Sequence, residues 1–328
     1  MNLIIPMAGK GTRLRPQTLV TPKPLIEIAG KTIVQRIVEL IIEKTSRKIE
    51  KISFIIESKD VDIENQLALI CRSQQVSHSV FYQGKPRGTA HAIYCAKENL
   101  KGPSLIVFAD TLFEADFNFS TESDGCVFVK HVENPRAYGV VKKNNLGHIE
   151  AFIEKPTTDI SNLAIVGMYY FKEGVVLTNA IQHILKNNLI DKGEYQITTA
   201  LENLKNQGIV FITEEIKKWF DFGNPQNLLN SHHQILAREK PKIKEFNNVK
   251  IIPPCYIGEG VRLEASVIGP NVSIGQGAKI SSCNIKNTII QSNSNINGAE
   301  LENSIIGKHV EYSSGSKEVN IGDYSTFK

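Results

Sequence analysis

The chain reads as an α/β protein: a mostly parallel mixed sheet flanked by helices, followed by a β-helix. Three patterns carry this expectation. Short apolar segments alternate with segments of helical period up to about residue 110, β-rich stretches fill Gly125 to Phe171, and beyond residue 250 aliphatic residues recur every five or six positions. Alternating strands and helices imply a parallel sheet covered by helices. Ligands are then expected at the carboxyl ends of its strands.

Asn2 to Met7 is a short buried strand, followed by a loop rich in Gly, Lys and Arg. Thr32 to Lys44 places Ile33, Ile37, Leu40, Ile41 and Lys44 at helical spacing, with Thr32 as N-cap. Lys51 to Glu57 is a strand, Asp62 to Gln74 a helix, Ser79 to Gln83 a strand, Thr89 to Leu100 a helix, and Ser104 to Ala109 a buried strand ending at Asp110. Helices return at Val175 to Lys186, Ile197 to Lys205 and Pro225 to Arg238, and the polar stretch from Arg238 to Lys250 reads as a linker. Domains are therefore expected at 1–240 and 251–328.

In the second of these, Ile257, Leu263, Ile268, Ile274, Ile280, Ile285, Ile290, Ile296, Leu301 and Ile306 are separated by five or six residues, and Gly258, Gly269, Gly275 and Gly307 each follow one of them. Neither a 3.6-residue nor a two-residue period fits. One inward aliphatic per short flat face, with a corner between faces, is β-helix geometry. The segment resembles the hexapeptide repeats of left-handed parallel β-helix proteins over about residues 251–310, in roughly three coils. The stretch from Glu311 to Lys328 looks irregular and receives no role.

At 328 residues, with 41% hydrophobic and 22% charged side chains, the chain can bury a core without disulfides. Its five cysteines, Cys71, Cys95, Cys126, Cys255 and Cys283, are odd in number and have no Cys-x-x-Cys spacing. A reduced, cytoplasmic setting is expected. The net charge of +4 is mild, and residues 251–328 carry 6 basic against 7 acidic groups, so the excess lies in the first 250 residues. That suits an anionic small molecule better than nucleic acid. The longest uncharged apolar stretch, Ala164 to Phe171, is too short to cross a bilayer, and no membrane partner is expected.

The loop from Pro6 to Pro16, continuing through Thr21-Pro22-Lys23-Pro24-Leu25, holds the chemistry. Gly9 and Gly11 follow a strand, and successive N–H groups in such a turn form a nest for phosphate oxygens. A dinucleotide fingerprint is incomplete, because Leu14 stands where its third glycine would be, and the P-loop Gly-Lys-Ser/Thr ending is missing. A plain tight loop remains an alternative. Arg13 and Lys23 add two cations beside the nest, and the prolines on either side of Lys23 stiffen its backbone. Transfer of a nucleotidyl group needs such cations, since negative charge gathers on departing pyrophosphate. A solvated lysine in a proline-rich turn is the bland reading.

Gly9-x-Gly11-Thr12-Arg13-Leu14-x-Pro16 and Pro22-Lys23-Pro24-Leu25 resemble the signature of sugar-1-phosphate nucleotidylyltransferases. Further matches follow in order: Gln83 with Gly88-Thr89-Ala90, Asp110, Tyr138-Gly139-Val140-Val141, Glu154-Lys155-Pro156, Val166-Gly167, and Trp219-Phe220-Asp221-Phe222-Gly223. With its β-helix the chain is similar to long-form glucose-1-phosphate thymidylyltransferases and related uridylyltransferases. The resemblance implies a Rossmann-like nucleotidyltransferase domain and a left-handed β-helix.

It also implies roles. Arg13 and Lys23 would be catalytic; Ala8, Gly9, Gly11, Thr12, Gln83 and Gly88 would bind nucleotide; Gly139, Glu154, Lys155 and Gly167 would bind the sugar phosphate. Asp110 and Asp221 would hold Mg²⁺, an ion that takes oxygen ligands and keeps several waters. A glutamine at position 83 offers a donor and an acceptor to the imide edge of thymine or uracil. Bland readings stand beside these: Asp110 as a cap or turn residue, Asp221 as an Asx-turn, and Glu154-Lys155-Pro156 as a strand end. The histidines, including His91, His232 and His233, have no metal-ligand spacing.

The expected reaction is attack by a sugar 1-phosphate on the α-phosphorus of a nucleoside triphosphate, with dTTP and glucose 1-phosphate as first choice. A UTP-dependent pyrophosphorylase is the alternative. A catalytically silent regulatory subunit, or an acyltransferase run by the β-helix around its one histidine, His309, are readings from other classes. Homo-oligomers are expected, because the open ends of a β-helix leave strands uncovered.

Overall fold

A computed structural model describes residues 1–114, 123–242, 244–313 and 318–327. Packing divides the chain into two compact units, Met1–Gly9 with Ile37–Trp219, and Lys10–Arg36 with Phe220–Lys328. Among the described residues no helix is long and apolar enough to cross a membrane.

The first unit is built on a nine-stranded sheet, counted over the described residues. Its strands are β1 (Asn2–Pro6), β2 (Lys51–Ile56), β3 (Ser77–Tyr82), β4 (Ser104–Val107), β5 (Gly125–His131), β6 (Gly139–Lys143), β7 (Ile149–Glu154), β8 (Leu163–Phe171) and β9 (Phe211–Glu215). They are ordered β7-β6-β8-β4-β1-β2-β3, with β5 pairing β8 and β9. β4, β1, β2 and β3 run parallel to their neighbours, as β9 does to β5. β8 is antiparallel to β4, β5 and β6, and so reverses the direction of the sheet at its centre. Sequence reading placed β1 to β4, its β-rich stretches from Gly125 to Phe171 hold β5 to β8, and it passed over β9, whose residues after Phe211 are only half buried or exposed.

The helices follow from caps and apolar stripes. Helix α1 (Ile33–Lys44) starts where Thr32 Oγ1 accepts the Gln35 amide at 3.2 Å. Helix α2 (Val61–Ser73) is capped by Asp60, whose Oδ1 accepts the amides of Asp62 and Ile63 at 3.0 Å. Helix α3 (Thr89–Cys95) is shorter than expected and passes into a 3₁₀ turn at Lys97–Asn99. Helices α4 (Gly174–Lys186) and α5 (Ile197–Asn206) join α3 in one buried cluster with Ile4, Ile55 and Ile106 of the sheet. Side chains alternate across a strand, so the equally buried Leu3, Ile5, Phe54 and Leu105 point to the opposite face.

In the second unit, helix α6 (Pro225–Glu239) is capped by Asn224, whose Oδ1 accepts the Asn227 amide at 2.9 Å. From Val249 onward three parallel sheets wind a β-helix of four to five strands per sheet, counted over the described residues. Partners lie 15 to 17 residues apart, as in Cys255 with Val272 and Val272 with Thr288. Eight of the ten expected inward aliphatics are buried; Ile257 and Leu263, on the first rung, are half-buried. Burying each such side chain contributes roughly 1.5–3 kcal/mol.

The corners are marked by left-handed residues in three rows. Asn271, Asn287 and Asn303 form one; Gly260, Gly277, Asn293, His309 and Tyr324 the second; Ala265, Ser282 and Gly298 the third. Asn and Gly tolerate this conformation best, which gives the repeat its polar punctuation. His309, the sole histidine of the β-helix, stacks parallel on Tyr324 at 4.9 Å.

The tail read as irregular continues the winding. Ile305–Ile306 pairs with Asn320–Ile321, and Glu311–Tyr312 with Thr326–Phe327. Residues 314–317 and 328 of that tail lie outside the described residues.

Candidate active site

The parallel strands of the first unit decide where its expected site residues emerge. Ala8 and Gly9 follow β1, Gln83 follows β3 and Asp110 lies three residues past β4. Parallel neighbours end on the same edge, so these residues share the carboxyl edge of the sheet. β8 runs the other way, and Gly167 meets that edge: its carbonyl accepts the Phe108 amide at 2.9 Å. Gly167 sits in a left-handed conformation at a register break between β8 and β5, a bulge that suits glycine. Opposite β8, Gly139 of β6 pairs with Glu154 at the end of β7.

Glu154 is the best-defined side chain here. Its carboxyl is 13% exposed; Oε2 accepts the Thr198 hydroxyl at 3.2 Å, and Oε1 lies 4.0 Å from Lys155 Nζ. Burial pushes its pKa above the usual carboxylate range, against the pull of Thr198 and Lys155, with Asp191 and Glu194 adding to the rise. A Cβ on Gly139 would come within 3.0 Å of Glu154 Oε2, so glycine there gives the carboxylate room. Lys155, before Pro156, has φ +44°, a left-handed conformation rare in a side-chain-bearing residue. Its amide donates to the Tyr138 carbonyl at 3.1 Å, which holds the Nζ arm, 55% exposed, on the same turn as Glu154. The phenol of buried Tyr169 is raised by burial first, and then by the negative charges of Glu154 and Asp110.

Gln83 Nε2 reaches the Gly88 carbonyl at 3.1 Å and His91 Nδ1 at 3.3 Å, and Oε1 has no partner among the described residues. Burial and Arg87 lower the His91 pKa, which favours the neutral ring that can accept from the carboxamide. Gly88 has φ +111°, and a Cβ there would meet the Tyr195 backbone at 2.5 Å. Glycine at 88 thus has a reason in packing of the chain against itself. Gly9 differs, because a Cβ there would meet nothing within 4 Å.

In the second unit, Gly11 is left-handed at φ +57°, and its carbonyl accepts the Thr18 hydroxyl at 2.8 Å and the Leu14 amide at 2.9 Å. Thr12, Arg13 and Leu14 form a 3₁₀ turn that exposes the first two and buries Leu14. Lys23 opens a second 3₁₀ turn between Pro22 and Pro24 and is 7% exposed. A Cβ on Gly11 would touch Lys23 Cβ at 3.2 Å, so the glycine turn and the lysine are in contact. Asp221 forms the Asx-turn considered from sequence: Oδ1 accepts the Gly223 amide at 2.7 Å, and Oδ2 accepts Asn227 Nδ2 at 2.6 Å. A carboxylate has about four lone-pair positions, so capacity remains for a cation.

Among the described residues no group of three or more His, Cys, Asp and Glu side chains could hold a metal. Asp110 in the first unit and Asp221 in the second are each hard oxygen donors, a chemistry that suits Mg²⁺. Two clefts of the second unit, about 520 and 530 Å³, are lined by Pro225, Leu229 and Asn303 with neighbours, and by Ala237, Lys240 and Pro241 with Pro253–Pro254. Neither contains an expected site residue.

Sequence reading missed Thr198, Thr18 and Asn227, which orient Glu154, Gly11 and Asp221. Only Asn227 carried a signal, in the first turn of a helix just after Asp221.

A family profile described as nucleotidyl transferase matches residues 3–238. The bifunctional protein GlmU of Methanococcus vannielii is 33% identical over 270 residues, covering 80% of this chain and 62% of its own length. This chain thus spans about three fifths of such relatives. The low-salt glycan biosynthesis nucleotidyltransferase Agl11 of Haloferax volcanii is 29% identical, with 94% and 92% covered. A glucose-1-phosphate thymidylyltransferase of Streptomyces antibioticus is 25% identical, with 99% and 98% covered. Among solved structures, a UDP-glucose pyrophosphorylase complexed with UDP-glucose shares the fold at a TM-score of 0.60 and 23% identity, over 72% of this chain and 98% of that one. The strand order, the glycine turn and the profile match agree, and the chain belongs to the nucleotidyl transferase family.

Proposed function

We propose that this protein transfers a nucleotidyl group from a nucleoside triphosphate to a sugar 1-phosphate, releasing pyrophosphate, with dTTP and glucose 1-phosphate as the preferred pair. In this reading residues 1–240 carry the transferase and 251–328 form an appended β-helix. The observation that carries it is Lys23, buried between two prolines and packed against the Gly11 turn. A lysine held beside a glycine turn of this kind places positive charge where a phosphate chain would lie. The thymidylyltransferase relative, matched over nearly its whole length, supports the choice of substrates.

The nucleophile is a phosphate monoester oxygen, already largely ionised at neutral pH because its second pKa is near 6. No general base is needed. The task is to bring two anions together, and Lys23 and Arg13 lower their repulsion at the transferring and departing phosphates. Ala8, Gly9, Gly11 and Thr12 offer backbone to the nucleotide, Gln83 reads the imide edge, and Gly88 shapes the turn beneath it. Glu154 accepts from sugar hydroxyls, Lys155 neutralises the sugar phosphate, and Gly139 and Gly167 let backbone approach the ring. Asp110 and Asp221 would each offer carboxylate oxygens to Mg²⁺, which would supply positive charge to the phosphates. Copies assemble through the β-helix, whose last described rung exposes Tyr324 and Phe327.

The test is a panel of triphosphates and sugar 1-phosphates scored by pyrophosphate release, with and without EDTA. The expected result is highest kcat/KM for dTTP with glucose 1-phosphate, abolished by EDTA and restored by Mg²⁺. A preference for UTP would move the assignment to a UDP-sugar pyrophosphorylase. Nucleotide-sugar binding without turnover would make the chain a silent regulatory subunit.

A further inference from the structure

The loop that carries Arg13 and Lys23 belongs to the same compact unit as the β-helix, and buried polar bonds join them. Gln17, between the two cations in sequence, is 3% exposed. A buried carboxamide costs free energy unless its hydrogen bonds are met. The amino group of Gln17 finds its acceptors in the β-helix: Nε2 lies 2.7 Å from the Ile321 carbonyl, 3.1 Å from the Ile305 carbonyl and 3.0 Å from Asn320 Oδ1. Ile305 and Asn320 are partners on successive rungs, so one side chain grips two rungs.

A second bond lies four residues on. The Thr21 hydroxyl donates to Asp323 Oδ2 at 2.7 Å, while Asp323 Oδ1 accepts the Lys308 amide of the preceding rung at 2.7 Å. Pro16 lies against Gly322, where a Cβ would come within 3.1 Å of it. From these anchors the loop is tied inward: the Gln17 amide donates to the Leu14 carbonyl at 3.0 Å, and Thr18 holds the Gly11 carbonyl.

We propose that the last coil of the β-helix positions the phosphate-binding loop, with Gln17, Thr21 and Asp323 acting as positioning residues that hold Arg13 and Lys23 in their working places. The tail read as featureless thereby becomes part of the machinery. This rests on the reading of the loop as the triphosphate site. Displacing a reacting group by about 1 Å can cost about 10²-fold in rate, so a latch of this kind acts on kcat.

The test compares Thr21→Val, Thr21→Ser, Asp323→Ala and Asp323→Asn in the full chain. Serine keeps the hydroxyl; asparagine keeps an acceptor for Lys308 and can donate to Thr21. The expected result is a kcat for pyrophosphate release lowered roughly tenfold in Thr21→Val and Asp323→Ala, with KM for the sugar 1-phosphate unchanged and near-normal kcat in the conservative pair. Hydrogen exchange of amides 11–25 reads the latch without turnover and should quicken only in the two disruptive variants. Unchanged kcat and exchange in both disruptive variants overturn the proposal, as does equal loss in the conservative pair. A wild-type chain silent with every triphosphate overturns the functional reading instead, and the exchange comparison then decides the latch by itself.

Discussion

In the nine-stranded sheet each strand has its own surroundings, whereas along the β-helix Ile274, Ile290 and Ile306 take the same inward position on successive rungs. In the sheet, position along a strand decides where a residue emerges: Ala8, Gln83 and Asp110 share the edge at which parallel strands end. In the β-helix, repetition is the background and function shows as an exception. Glycine follows Ile257, Ile274, Ile306 and Ile321, since a Cβ at Gly275 or Gly307 would meet the next rung's backbone at 2.5 Å. Gln291 interrupts that row, is 5% exposed, and its Nε2 donates to the Glu27 carbonyl at 2.9 Å. Tyr256 lies under Gly30 of the same segment in a similar way. Departures from the repeat therefore cluster where the β-helix meets residues 16–30.

Substitutions at single strand ends and at repeated positions should break in different ways. Asp110→Asn should lower turnover by roughly 10²–10³, read by pyrophosphate release, because one charge is lost just past a strand end. In contrast, Ile290→Ala, a repeated and buried position, should cost about 2–5 kcal/mol by urea denaturation. If Ile290→Ala proved as mild as a surface change, the ladder of aliphatics would not be what holds the coils.

Glycines sharpen the contrast inside the first unit. Gly88→Ala should destabilise by about 1–3 kcal/mol through strain against Tyr195, whereas Gly9→Ala should fold within ~0.5 kcal/mol of wild type and lose nucleotide affinity by titration.

His232 provides a pH test in the second unit. Its ring is fully buried, Nε2 is 2.7 Å from Ser273 Oγ, and Nδ1 has no partner among the described residues. Burial first, then His233 and Arg36, lower its pKa to about 3. The unfolded chain takes up this proton below about pH 6.5 and the folded chain does not, so stability falls as pH drops from 6.5 toward 3. By pH 5 the loss attributable to His232 should be about 2 kcal/mol, absent in His232→Gln, as read by urea midpoints across pH. Least of all, Asp159→Asn, which removes an exposed ion pair with Arg136, should change stability by under ~0.5 kcal/mol.

Much of this was legible in the residues because period reports burial. The strands before Asp110 show as short apolar segments, and helices α1, α2 and α6 carry both an apolar stripe and a cap. The last coil was not legible, since its inward position is taken by Tyr312, 3% exposed, where earlier rungs use aliphatics. Glu154 and Lys155 stood out as a motif, but the burial that raises Glu154 and the bond from Thr198, 44 residues away, come from tertiary packing. Gln17 gave no signal at all: a buried glutamine in a loop looks like any other until its acceptors, roughly 300 residues later, are in place.

The most direct measurement is pyrophosphate release by the wild-type chain and by Lys23→Met, with dTTP, glucose 1-phosphate and Mg²⁺. The account expects steady release from the wild type, and a kcat lower by roughly 10²–10³ in a folded variant that binds sugar phosphate as before. Equal rates in the two proteins would contradict it.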